Sequence, residues 1–210
     1  MNTEKIFKQS IPARYCDARN IKQTKINMRF LIMGPPGAGK GTQAKILSDQ
    51  YNLVHLSTGD ILRNEIDNQT TIGLDAKNYM DQGLLVPDEV LLSMMENTLT
   101  NLKGSGIILD GFPRTIPQAE GLDAIFKKLD LTIDMVINIY VDKEILINRL
   151  IKRAEDSGRS DDTKEVIVNR QNVYLELTAP LLEFYKNEVI NVDGDGTIEE
   201  VTQRVLAAIK

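Results

Sequence analysis

The chain predicts an α/β fold: a P-loop three-layer α/β/α sandwich around a five-stranded parallel sheet. Three observations carry this. Short apolar runs at 29–34, 53–56, 106–110, 135–141 and 188–192 alternate with helix-like segments. The runs are almost continuously apolar, as strands covered by helices on both faces must be. The first run leads into Gly-Pro-Pro-Gly-Ala-Gly-Lys-Gly-Thr at 34–42, a glycine-rich turn between a strand and a helix.

Size and composition bound the rest. The 210 residues suffice for one sizeable domain with small insertions. A net charge of −5 speaks against a general nucleic-acid partner, and the absence of Trp removes one platform for stacking bases. No stretch approaches the length of a membrane span, so no membrane partner is expected. Cys16 is the single cysteine, which excludes a disulfide framework and a cysteine zinc site and suits a reducing compartment. Residues 1–27 stand apart, with six basic residues against two acidic ones and no clean period. They read as a disordered extension, or as a stretch preceding a true start at Met28. Organelle targeting is a secondary reading, because Glu4 and Asp17 are unusual in a transit peptide.

From Met28 each element can be justified in turn. The strand at 29–34 delivers the turn, and a helix follows over 41–51. Glycines let successive N–H groups point inward, and the helix N-terminus adds partial positive charge. Gly37, Ala38, Gly39, Lys40, Gly41 and Thr42 therefore form a phosphate cradle, with Lys40 reaching the β/γ-phosphates. The strict pattern places Ser or Thr directly after the lysine. Here Gly41 stands there and Thr42 follows. His55, the one histidine, lies on the strand at 53–56 and reads as a packed core-edge residue. Helices are expected at 59–67, 71–81 and 88–101.

The strand at 106–110 ends in Asp110, placed to hold Mg²⁺ directly or through water, with Thr42 a possible second ligand. A strand-end aspartate capping a turn is the alternative. Gly111-Phe112-Pro113-Arg114 follows, then Gln118 in a helix expected at 115–127. Beyond the strand at 135–141, Arg149 and Arg153 share one face of a helix at 142–153. Arg63, Arg114, Arg149, Arg153, Arg159 and Arg170 each sit near a turn, a helix start or a glycine. Two nucleotides exchanging a phosphoryl group bring together about four phosphates, whose charge needs several fixed cations. Taken singly, each arginine could equally be solvated and paired. Residues 155–160 are polar and suit a small mobile flap, and Asp162 with Glu165 approaches a capping box. A long helix at 163–185, a turn at Gly194-Asp195-Gly196 and a helix at 197–209 complete the chain.

These motifs, in this order, resemble the adenylate kinase family. The matching residues are 34–42, Leu-Ser-Thr-Gly-Asp-Ile-Leu-Arg at 56–63, Gly-Leu-Leu-Val-Pro-Asp at 83–88, Asp-Gly-Phe-Pro-Arg-Thr at 110–115, Gly-Arg-Ser-Asp-Asp at 158–162, Thr-Ala-Pro-Leu at 178–181 and Val-Asp-Gly at 192–194. The resemblance spans 28–210 and leaves 1–27 outside. It implies a helical NMP-binding insertion at about 57–86 and a short lid at about 154–162, without the zinc of longer lids.

It further implies reversible transfer of the ATP γ-phosphoryl group to AMP with Mg²⁺, serving adenine nucleotide balance. On the ATP side stand residues 37–42, Arg149, Arg153 and the backbone near Gly196. The AMP side takes Thr58, Arg63, Leu84, Leu85, Val86, Gly111, Phe112, Pro113, Arg114 and Gln118. Arg159 and Arg170 bridge the substrates. Lys40, Arg114, Arg153, Arg159, Arg170 and Asp162 make the catalytic set. Thr58, where relatives acting on UMP and CMP tend to carry alanine, favours AMP. A UMP/CMP kinase is the alternative within the class, and a P-loop switch or binding module the alternative outside it. A cytoplasmic monomer is expected.

Overall fold

The computed structural model describes residues 27–102, 104–157 and 163–209. Five parallel strands form one sheet in the order β2-β3-β1-β4-β5. They are β1 (Arg29–Met33), β2 (Val54–Ser57), β3 (Ile107–Asp110), β4 (Met135–Tyr140) and β5 (Val189–Asp193). The helices are α1 (Lys40–Tyr51), α2 (Thr58–Asp67), α3 (Thr71–Met80), α4 (Asp88–Asn101), α5 (Ile116–Leu129), α6 (Lys143–Ser157), α7 (Lys164–Val173), α8 (Leu181–Phe184) and α9 (Ile198–Ile209). The expected strands and helices up to residue 157 recur with ends shifted by a few residues at most.

Side chains alternate along each strand, so the sheet feeds two cores. Leu31, Met33, Leu109 and Val136 face one core with α4, α5 and α8 residues such as Met95, Leu122 and Leu181. Phe30, Ile32, Ile108, Ile137 and Ile139 face the other with Ala44 and Leu47 of α1, Leu146 of α6 and Val201 of α9. Both faces are therefore apolar, which explains the unbroken apolar runs in the sequence.

Strand order also places the site. Because β1 is central, flanked by β3 and β4, the loop leaving it opens where neighbouring crossovers diverge to opposite sides. Parallel α/β sheets bind ligands at that point, beyond the carboxyl ends of the strands. Register puts Asp110 opposite both Ile32 of β1 and Ser57 of β2, so its carboxylate stands at that same edge.

One expected element divides. The helix foreseen over 163–185 is α7, then a π turn (Tyr174–Thr178), then α8. The widened turn is closed by Ala179 N–H donating to Tyr174 O at 2.8 Å, five residues back. Pro180 has no N–H and cannot continue an α-helical ladder, so α8 restarts after it. The N-cap of α7 is Thr163, whose hydroxyl accepts from Val166 N–H, in place of the expected Asp162 and Glu165 pairing. Asp162 itself lies outside the described residues.

Ile108 is fully buried in the second core. Ile108→Ala is expected to lower the unfolding free energy by about 2–5 kcal/mol. Chemical denaturation measures it, and a loss below about 1 kcal/mol would contradict this placement.

Candidate active site

The chain leaves β1 at Gly34 with φ 139°. A Cβ there would stand 2.3 Å from Ile139 O, so only glycine lets the loop turn against β4. The two prolines that follow have no N–H, and their carbonyls turn inward instead. Lys40 Nζ donates to Gly34 O at 2.7 Å and to Pro35 O at 3.0 Å. Gly39, in the left-handed region, is the N-cap of α1, with no side chain covering the helix start. The first N–H groups of α1 thus remain available to an anion.

Lys40 is half-buried, with its ammonium withdrawn under the loop. Burial pushes its pKa down from 10.5 to about 7. Asp110 opposes that fall, while Arg114, Arg170 and Arg153 add to it. Several positive charges converge here, which is the signature of a site awaiting a polyanion.

Asp110, buried at the end of β3, explains the unusual spelling of the loop. A Cβ on Gly41 would lie 3.3 Å from Asp110 Oδ2, so the residue after the lysine must stay small to keep the carboxylate close to α1. His55 Nε2 lies 3.4 Å from the same oxygen. His55 therefore stands at the edge of the site beside Asp110, not wholly in the core.

Three cavities meet around this centre. The largest, about 650 Å³, is walled by Gly37, Gly39, Lys40, Gly41, Thr42, Asp110, Arg149 and Arg153, and also by Arg63, Arg114 and Arg170. A second is walled by Thr58, Arg63, Leu84, Leu85 and Val86, again with Arg114 and Arg170. A third opening lies between Thr42, Arg149, Gly194 and Gly196. Arg149 Nη2 donates to Gly194 O at 3.0 Å and to Gly196 O at 3.4 Å, which ties α6 to the turn after β5.

The AMP-side expectations separate into two groups. Thr58, Arg63, Leu84, Leu85, Val86 and Arg114 line the second cavity. Gln118 does not. Its side chain is fully buried behind Arg114, with Oε1 accepting from Arg114 N–H at 2.7 Å and Nε2 donating to Asp88 Oδ1 at 2.7 Å. In this arrangement Gln118 supports the Arg114 backbone. Phe112 is likewise buried, in the first core, while Gly111 and Pro113 line a small cavity behind the phosphate loop. Gly111 has φ 77°, and a Cβ would press on Arg114 Nη2 at 2.7 Å. Arg114 Nε donates back to Gly111 O at 2.7 Å. Thr58 Oγ1 donates to the same carbonyl at 2.8 Å. Arg63 Nη2 meets Asp60 Oδ1 at 2.5 Å on α2. Arg159 and Asp162, with most of the expected lid, lie outside the described residues.

Sequence reasoning missed three supports. Asp88 holds both Thr115 Oγ1 at 3.0 Å and Gln118. Thr178 Oγ1, on the π turn, donates to Arg114 O at 2.8 Å. Gln171 Nε2 donates to Pro36 O at 2.9 Å. Asp88 and Thr178 fell inside matched motifs and could have been found there. Gln171 carried no such signal.

A phosphate loop joined to a second, arginine-lined cavity defines a phosphoryl-transfer architecture acting on two phosphate-bearing substrates. The family model for adenylate kinase matches residues 32–190. The chain is 47% identical over 184 residues to an adenylate kinase of Leptospira biflexa, covering 86% of this chain and 99% of that protein. It is 44% identical over 183 residues to one of Rhodococcus erythropolis, covering 87% and 99%. With one of Stenotrophomonas maltophilia it shares 44% identity over 186 residues, covering 87% and 100%. The chain belongs to the adenylate kinase family.

The Lys40 environment makes a measurable prediction. Phosphate beside the ammonium favours its charged form, so binding at pH 8 should draw a proton onto Lys40. Calorimetry of Mg·ATP binding in two buffers of different ionisation enthalpy is expected to show proton uptake that Lys40→Met removes. Stability has the matching sign. Between about pH 7 and 10.5 the unfolded chain holds the Lys40 proton and the folded chain does not, so this residue's penalty falls as pH rises through that window. Lys40→Met should therefore gain most over the parent below pH 7, as read by thermal melts.

Proposed function

We propose that the protein transfers the γ-phosphoryl group of Mg·ATP reversibly to AMP, giving two ADP. The observation that carries this reading is that Arg114 and Arg170 line both the phosphate-loop cavity and the Thr58 cavity. A phosphoryl group crossing between two nucleotides would pass between those guanidinium groups.

On this reading the ATP phosphates lie on residues 37–42, with Lys40 turning from the loop carbonyls to the β/γ-oxygens. The ATP base takes the opening by Arg149 and Gly196. AMP occupies the second cavity, its phosphate held by Arg63 and Arg114 and its base beside Thr58 and the 84–86 backbone. Reading of the adenine by Gln118 would require its amide to leave Asp88 and Arg114. Arg159 and Asp162, which the resemblance assigns to the same step, lie outside the described residues.

Mg²⁺ fits the residues present. Asp110 and Thr42 line the cavity beside Lys40, and the bare Cα of Gly41 leaves room next to the carboxylate. Among the described residues no group of three or more His, Cys, Asp or Glu could hold a metal. The ion would therefore arrive with the nucleotide and keep most of its water, with Asp110 orienting that water. When bound, it neutralises charge on the transferring phosphates.

The transition state is loose and its charge is spread over the transferring oxygens. Lys40, Arg114, Arg153 and Arg170 oppose that charge from fixed positions, and no protein nucleophile or general base is needed. Closure over the bound nucleotides would exclude the water that could otherwise accept the phosphoryl group. The chain acts as a monomer in the cytoplasm. No helix among the described residues is long and apolar enough to cross a membrane.

The deciding experiment supplies ATP and Mg²⁺ with AMP, UMP, CMP or GMP and separates the products by chromatography. ADP from ATP and AMP alone is expected. Transfer to UMP or CMP would overturn the reading of Thr58, and no transfer to any acceptor would favour a nucleotide-dependent switch. Arg114→Ala should keep the fold and lose about 10²- to 10³-fold in turnover. Near-normal coupled-assay rates for it would remove Arg114 from the transfer path.

A further inference from the structure

Gln171 immediately follows Arg170 on α7, and its side chain is buried with 8% exposure. Its Nε2 donates to Pro36 O at 2.9 Å, linking parts of the chain 135 residues apart. A buried amide could serve stability alone, so the question is what this particular carbonyl does.

Pro35 and Pro36 have no N–H, so this stretch of the phosphate loop is gripped through its carbonyls. Three successive carbonyls are engaged. Gly34 O and Pro35 O accept from Lys40, and Pro36 O accepts from Gln171. The first two bonds use the ammonium that faces phosphate during transfer. When Lys40 turns to a phosphate oxygen, both are released. The Pro36–Gln171 bond remains.

The same turn of α7 also reaches the other substrate. Asn169 Nδ2 donates to Gln82 O at 2.7 Å, next to the wall formed by Gly83, Leu84 and Leu85. Arg170, between these two tethers, lines both the phosphate-loop cavity and the Thr58 cavity. The backbone that carries Arg170 is thus pinned to the phosphate loop on one side and to the second cavity on the other.

We infer that Gln171 is a positioning residue for phosphoryl transfer: it holds the Pro36 carbonyl and thereby sets the phosphate loop's distance from Arg170. It touches no substrate and acts through Pro36. The inference rests on the phosphotransfer reading above. Misplacement of reacting groups by about 1 Å can cost about 10²-fold, so a lost tether should appear in turnover before it appears in folding.

The test uses the full chain with Gln171→Met, close in shape but without a donor, and Gln171→Glu, which presents an acceptor to an acceptor. Turnover and KM for Mg·ATP and AMP are measured below the melting transition, with circular dichroism reporting the folded fraction. We expect kcat about tenfold lower for Gln171→Met and lower still for Gln171→Glu, with KM for AMP within twofold and the folded fraction unchanged. A kcat within twofold of the parent for both variants would overturn the inference. So would a kcat loss that merely tracks the folded fraction. Transfer by the parent in the same assay keeps the phosphotransfer reading intact whichever result the variants give. No transfer by the parent overturns that reading and the inference together.

Discussion

Several cations converge on one withdrawn ammonium, and the rest of the molecule is arranged to hold them there. Arg114, Arg153 and Arg170 each make the charge on Lys40 harder to keep, and burial does so more strongly still. Asp110 is the counterweight. Left to itself such a cluster would spread into water. Two of its members are fixed by backbone, Lys40 by two loop carbonyls and Arg114 by Gly111 O, and Arg149 on the rim is held by the turn after β5. Phosphates entering this cluster would meet cations already in place, so binding and electrostatic stabilisation of the transferring group would have one source.

The sheet supplies the rigidity. Its central strand ends at the phosphate loop that leads to Lys40 at the start of α1, and the neighbouring strand β3 ends at Asp110, so loop and carboxylate stand at the ends of adjacent rods. Both faces of those rods are buried in separate cores, which leaves the strands little freedom to shift. Helices with exposed outer faces carry the arginines instead. Arg63 on α2, Arg153 on α6 and Arg170 on α7 reach the same edge from outside the sheet, and α7 is itself tied to the phosphate loop through Gln171.

The sheet and the loop were legible in the sequence because both follow local rules. Apolar runs of four to seven residues, glycines at the turn and a strand-end aspartate need no distant contact to be recognised. The resemblance added residue roles that spacing alone could not assign. What stayed hidden depended on partners far away in the chain. Nothing near Gln171 announces Pro36, and nothing near Gln118 announces that Asp88 will take its amide nitrogen. The break at 174–180 was visible in part, since Pro180 cannot continue an α-helix. The π turn before it was not, because it gains from a tertiary bond, Thr178 Oγ1 to Arg114 O, that no helical period encodes.

That π turn connects the hidden features. An uninterrupted α-helix from 163 to 185 would present its hydroxyls and amides at a fixed angular step. The wider turn changes that step between Gln171 and Thr178. One face of the segment thereby meets the phosphate loop through Gln171, and the next meets the Arg114 backbone through Thr178. Single π turns cost some helical stability and occur where function needs a side chain re-aimed. Here the segment that carries Arg170 is held at the carbonyls of both substrate sites. The irregularity therefore lets one segment hold the phosphate loop and the Arg114 backbone together, two bonds that a regular helical step would not supply at once.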